Sequence, residues 1–218
     1  GVFHLDPLFI NWRIEMADSK VDICNKGLVL VGANTIGSFT ESSVESTVAN
    51  QLYESTLENL LTRCRWRFAS KQAQLSYNTT SPLARWESSH AVPSDALLIH
   101  TLTVSDDVIR YDRYNDELMS DASSTDSVIC DYTFQPSEAE FPAYFKQTLV
   151  FELASLFAGA IARNDNLSDL YHKRSLTQMA VAKSVDAQAQ TVRRLDINRF
   201  REARNRTGLN NITATVQS

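Results

Sequence analysis

Several sets of residues in this chain are of types that could do chemistry. Ser42, with His90 or His172 and any of the aspartates, supplies the side chains of a hydrolytic triad, in which a base takes the proton from a hydroxyl nucleophile. No G-x-S-x-G turn or comparable frame fixes their spacing, so catalysis is not expected. Asp106, Asp107, Asp112, Asp116, Asp121, Asp126 and Asp131 offer the oxygen ligands a calcium ion requires. The D-x-D-x-D-G loop with its closing Glu is missing, and the aspartates read as solvated turns. Cys24, Cys64 and Cys130 are far apart, each among apolar residues, with no CxxC or Cys/His spacing for zinc. They read as reduced, packed thiols of a cytosolic protein. The sequence thus predicts no enzyme, no metal site and no cofactor.

The remaining chemically distinct stretch is basic. Arg193, Arg194, Arg199, Arg201, Arg204 and Arg206 face only Asp196 and Glu202, so this segment is +4 and the rest of the chain −9, from a total of −5. With a pI near 5.4, the chain as a whole is not one whose entire surface binds nucleic acid or anionic membrane. The segment can be read as a solvated helix end, a nucleic-acid patch or a docking arm. Nucleic-acid binding usually brings aromatic platforms or a groove-reading motif, and only Phe200 is present.

The elements that would position these residues follow from periodicity. Ser42 with Glu45 reads as a capping box opening a long central helix. Val44, Val48, Leu52 and Leu60 form one ridge of it, and Ala49, Tyr53, Leu57, Leu61 and Cys64 the next. Arg63, Arg65 and Arg67 crowd its last turn, where the helix dipole favours cations. Ser19 with Asp22 marks an earlier, short helix carrying Val21, Cys24, Leu28 and Val31 on one face, ended by Gly32, Asn34 and Gly37. The short connection between the two predicts an antiparallel hairpin. Strand patterns follow at 74–77, 95–104, 109–114, 117–119 and 128–134, a small antiparallel sheet. Pro142 suits the first turn of a third helix with Phe145, Leu149, Leu153, Leu156, Phe157, Ala160 and Ile161 inward. A fourth runs from about Ser168 through Leu170, Tyr171, Met179, Ala182, Val185, Ala189 and Val192.

The expected fold is α+β: an antiparallel four-helix bundle (17–70 and 137–192), an inserted small antiparallel β-sheet domain (71–136) and an extended C-terminal arm (193–218). The uncharged end of that arm, from Thr207, is expected to order only on a partner. Residues 1–16 read as an N-terminal extension, since Met16 opens MADSKVDICN like an ordinary start. Asp6, Pro7, Arg13 and Glu15 separate this piece from a secretory leader, and no run approaches the roughly 18 apolar residues that span a bilayer.

The ordered succession VDICNKGLVLVGANTIGSFTESS, LLTRCRWRFASKQAQLS, ARWESSHAVPSDALLIHTL, IRYDRYNDELMSD, VICDYTF and FPAYFKQTLVFELASLFAGAIA resembles the phage head-to-tail adaptor family, of the tail tubular protein A type. The similarity spans about Ala17 to Gln190 and rests on order and spacing: Trp66-x-Phe68-Ala69 closing the long helix, Pro93-x-Asp95 before the long strand, and a Pro-initiated apolar helix. His90 stands where an aromatic is usual. The resemblance implies a virion structural protein of the neck and tail, made in the host cytoplasm, forming a twelve-fold homo-oligomeric ring between the portal and the tail nozzle or tube. Double-stranded DNA would pass through the ring without sequence-specific binding, some acidic side chains lining the channel. It further implies that Arg193, Arg194, Arg199, Phe200, Arg201, Arg204 and Arg206 dock on the portal. The sheet domain would face the tail through Asp106, Asp107, Asn115, Asp116, Asp121 and Asp126. The competing class is a DNA-binding or packaging accessory protein acting through the arginine segment.

Overall fold

A computed structural model describes residues 18–79, 82 and 85–189, all but the last two of them within a compact unit that ends at Ala187. Helix α1 (Lys20–Leu30) starts where the sequence places it: Ser19 Oγ accepts from the Asp22 amide at 3.2 Å, and the Asp22 carboxylate accepts from the Ser19 amide at 2.9 Å. It stops at Gly32, whose φ of +74° a side-chain-bearing residue adopts only at a cost. Helix α2 (Val44–Thr62) is capped by Ser43 rather than Ser42. Ser43 has the extended backbone of a cap, and its hydroxyl accepts from the Ser46 amide at 3.1 Å. Glu45 instead accepts from the Asn34 side chain. Lys20 pairs with Glu54 while Asn34 meets Glu45, so α1 and α2 run antiparallel, as their short connection predicts.

Helix α3 (Ala143–Ala160) is the centre of the helical part. Phe145, Leu149, Val150, Leu153, Ala154 and Phe157 are all buried although they point in different directions, because the helix is covered from several sides. Both α1 and α2 pack on it. A Cβ on Gly27 would stand 3.2 Å from the Phe157 ring and 3.5 Å from the Ala154 amide nitrogen, so α1 approaches as closely as it does only because residue 27 has no side chain. Trp66, fully buried, donates its Nε1–H to the Leu60 carbonyl at 2.8 Å. It meets Phe68, Tyr144 and Phe145 at ring separations of 5.2–6.4 Å, which seals the end of α2 against α3.

Seven strands form two antiparallel sheets among the described residues. One has the order β1 (Ser70–Gln74), β7 (Val128–Phe134), β3 (Ala96–Val104), β4 (Asp107–Ile109). The other has the order β2 (Ser88–Ala91), β6 (Glu117–Ser120), β5 (Tyr111–Tyr114). Leu75, Ile99, Leu102, Leu118, Val128 and Tyr132 give these strands a core separate from the helical one.

The expected four-helix bundle with a small inserted sheet is therefore not the architecture. The fold is α+β, with four helices and two sheets. Two physical reasons account for the difference. Ser88-Ser89-His90 is a polar run with no apolar alternation, so the strand that anchors the second sheet is invisible to hydrophobic pattern even though all three residues are buried. Helix α4 (Asp165–Gln188) buries only Tyr171, Ser175, Met179, Ala182 and Asp186, too narrow a stripe for a full bundle member. Leu170 and Val185, expected inside, are 43% and 40% exposed, and Leu156 of α3 is 38% exposed. Val44, expected on the buried ridge of α2, is 66% exposed.

Candidate functional site

The residues nominated for hydrolysis do not meet. Ser42 lies in the exposed turn before α2, His172 on the exposed side of α4, and His90 is buried in β2. His90 Nε2 lies 3.0 Å from the Ser88 hydroxyl, which lies 2.9 Å from that of Ser120. Burial pushes the His90 pKa down, so the ring sits neutral in a closed polar layer, with an edge-on contact from Tyr77. A nucleophile needs substrate access, and Ser88, His90 and Ser120 are at most 1% exposed.

The turn residues are dispersed. Asp106 lies with Ser105 in the two-residue β3–β4 turn, both at positive φ (70° and 50°), and Asp107 opens β4. Asn115, φ 56°, and Asp116 form the β5–β6 turn in the other sheet. Asp121 stands 3.9 Å from Arg110, and the Asp126 carboxylate accepts from the Ser123 amide at 2.8 Å. All six are exposed. Among the described residues no group of three or more His, Cys, Asp or Glu is placed to hold a metal ion, and no helix is long and apolar enough to cross a membrane. Burial raises the Cys24 thiol to about 12, and those of Cys64 and Cys130 to about 11, so none is a ready nucleophile. The portal-arm residues Arg193, Arg194, Arg199, Phe200, Arg201, Arg204 and Arg206 lie outside the described residues.

Helix α2 ends at Thr62 with no basic residue in its last turn, so of the three arginines expected there only Arg63, the C-cap, adjoins the helix, and all three serve instead to join elements. Arg63 pairs at 3.1 Å with Glu152, a buried carboxylate on α3 that also has His172 of α4 at 3.8 Å. Arg65 pairs with Asp131 of β7 at 3.0 Å, tying the helical part to the sheet. The Arg67 amide donates to Asp186 near the end of α4 at 3.0 Å, and the Tyr144 hydroxyl donates to the same carboxylate at 2.7 Å. This polar seam was only partly legible. Glu152, an acid inside the apolar run LVFELASLF, is the kind of residue that signals a buried partner; Asp186 lies in a helix of ordinary polarity and gives no such signal.

Three clefts among the described residues lie between helices and beside a hairpin turn. One of about 610 Å³ runs along α1 and α3, lined by Asp18, Asp22, Asn25, Lys26, Val29 and Val150. Another, about 370 Å³, lies between α3 and α4 at Phe151, Leu170, Lys173, Arg174, Thr177 and Gln178. A third, about 490 Å³, includes Gln72, Gln74, Thr103, Ser105, Asp106 and Ser127. None of them converges a nucleophile, a base and an oxyanion donor. What the surface does present is apolar area: Leu176 and Val181 on α4 are each 50% exposed, Val29 on α1 62%, and Val108 on the edge strand β4 73%. Compared with known proteins, the chain matches no family profile and no curated protein.

Proposed function

We propose that this chain is a virion structural protein, a head-to-tail adaptor whose copies form a ring between the portal and the tail and surround the passing DNA. The observation that carries the reading is positional. The six segments on which the resemblance rests fall in order on α1, the end of α2 with β1, β2 with β3, β5 with β6, β7, and α3, all within one unit. Exposed apolar side chains on α2 and α4 add support, since a ring covers such surface. In this reading the arm from Arg193 to Arg206 docks on the portal, and the Asp106, Asn115 and Asp126 turns face the tail nozzle. Arginine suits the docking role because its planar fork bonds carboxylates in pairs while its stem covers apolar surface.

Mass measurement of the purified chain, alone and with its portal, tests the reading. An assembly of about twelve copies, seen as a ring by electron microscopy and retained on the portal, is the expected result. A chain that never joins the portal, but shifts labelled DNA with a steep salt dependence, overturns it in favour of a packaging accessory.

A further inference from the structure

We propose that residues 10–17 lie extended in the cleft between α1 and α3 of their own chain, with Trp12, Ile14 and Met16 turned toward Val29, Leu30 and Val150. This docking is independent of the adaptor reading, which concerns other surfaces.

The cleft holds about 610 Å³, and its lining sets the apolar Val29, Leu30 and Val150 among Asp22, Asn25 and Lys26. Val29 is 62% exposed there, on a helix whose Ile23, Cys24, Gly27 and Leu28 are buried. The same cleft is where the chain arrives. Asp18, at which the described residues begin, also lines it, and its carboxylate takes Lys26 of α1 at 2.6 Å and Lys146 of α3 at 3.4 Å. One side chain thus bridges both walls, and the residues before it leave from the mouth of the cleft. A segment joined there meets the cleft at an effective concentration in the millimolar range, which a second copy does not match at ordinary protein concentrations.

Residues 1–17 lie outside the described residues, and the sequence nearest Asp18 suits the cleft. Ile10, Trp12, Ile14 and Met16 alternate with Asn11, Arg13, Glu15 and Ala17. Strict alternation gives an extended chain one apolar edge and one polar edge. At about 3.3 Å per residue, Met16, Ile14 and Trp12 fall roughly 7, 13 and 20 Å from Asp18. Helix α1, 11 residues long, spans about 16 Å, so the apolar edge reaches from Asp18 to the end of the cleft where Val29 stands open. Arg13 and Glu15 leave the segment neutral, and neither Asp22 nor Lys26 on the rim repels it.

Trypsin cleavage after Arg13 in the full chain, followed by mass, tests the docking. Each rate is divided by that of a free peptide of residues 1–17 with the same sequence, so that only protection by the folded chain is read. The variants are Trp12→Gln, Val29→Gln and the two together. Because Val29 is exposed, Val29→Gln should keep the wild-type circular dichroism. Wild type should be cut about tenfold or more slowly than either single variant, and the double variant no faster than the singles, since both substitutions open the same contact. Protection should also be unchanged over about a hundredfold range of protein concentration, as a contact within one chain requires. Acceleration in only one single variant or in neither, or a double variant in which the two accelerations multiply, overturns the proposal. Protection that grows with concentration overturns it as well, and assigns the cleft to the segment of a second copy.

Discussion

Replacing Asp186 by alanine removes the acceptor shared by the Arg67 amide and the Tyr144 hydroxyl, at a site where the carboxylate is only 5% exposed. Two donors left without that partner should cost about 1–3 kcal/mol, read as a lower denaturant midpoint at unchanged slope. Asparagine, which keeps one acceptor oxygen, should recover part of the loss. The histidines give the chain a second dependence. Burial lowers the pKa of His90, and burial together with the Arg65 charge lowers that of His100, both from an ordinary value of 6.5. Folded-state values below the unfolded one mean that, as pH falls through about 6.5, the unfolded chain takes up protons the folded chain refuses. Stability should therefore decline from neutral pH toward the folded-state values. This lies well above the range where paired carboxylates such as Asp95, held low by its hydrogen bond from Lys71, begin to contribute. Thermal melting at a series of pH values checks this, and His90→Phe, which removes one titrating ring, should flatten the decline.

Helix α2 offers the sharpest contrast within one element. Leu57 and Leu61 are fully buried, so either truncated to alanine should lose about 2–5 kcal/mol, whereas Glu58→Ala, on the exposed side, should change little in a monomer. Equal melting of both classes would refute the face assignment. The row Ala49, Tyr53, Leu57, Leu61 was legible because a buried stripe repeats at helical spacing. Val44 was misplaced because the ridge Val44, Val48, Leu52, Leu60 winds around the helix, and its first member lies on the side opposite the buried Tyr53 and Leu60 while Ser46 of the same turn points inward. Cap chemistry gave the start of α1 to the residue, and β7 was readable over its full length because VICDYTF is β-branched and aromatic. Strand β2 was not readable, since its buried residues are polar, Ser88 meeting both His90 and Ser120 of β6 by hydrogen bonds, and that leaves no hydrophobic signature. In the polar seam Arg63 meets Glu152 89 positions away and the Arg67 amide meets Asp186 119 positions away, and local pattern carries no information about such partners.

For the molecule as a whole, deleting Arg193–Ser218 should leave the circular dichroism and melting of the remaining chain unchanged and abolish or greatly weaken joining to the portal. Arg199, Arg201 and Arg204 replaced together by glutamate should act alike. Wild-type portal affinity in the truncated chain would move the contact to the helices or to the stretch before Met16. The central place of α3 has a further consequence, in time rather than in space. Both α1 and α2 bury their apolar faces against a helix that begins at Ala143, so the leucines made first wait longest for their partners. At a synthesis rate of about 5–20 residues per second, the delay between the end of α1 and the start of α3 is on the order of ten seconds. Through that interval the nascent chain holds Leu28, Leu57, Leu60 and Leu61 without the helix that covers them, a standing invitation to a holding chaperone. Ribosome-stalled chains ending before Pro142 should be cut readily within α2, and those extended to expose the whole of α3 should resist.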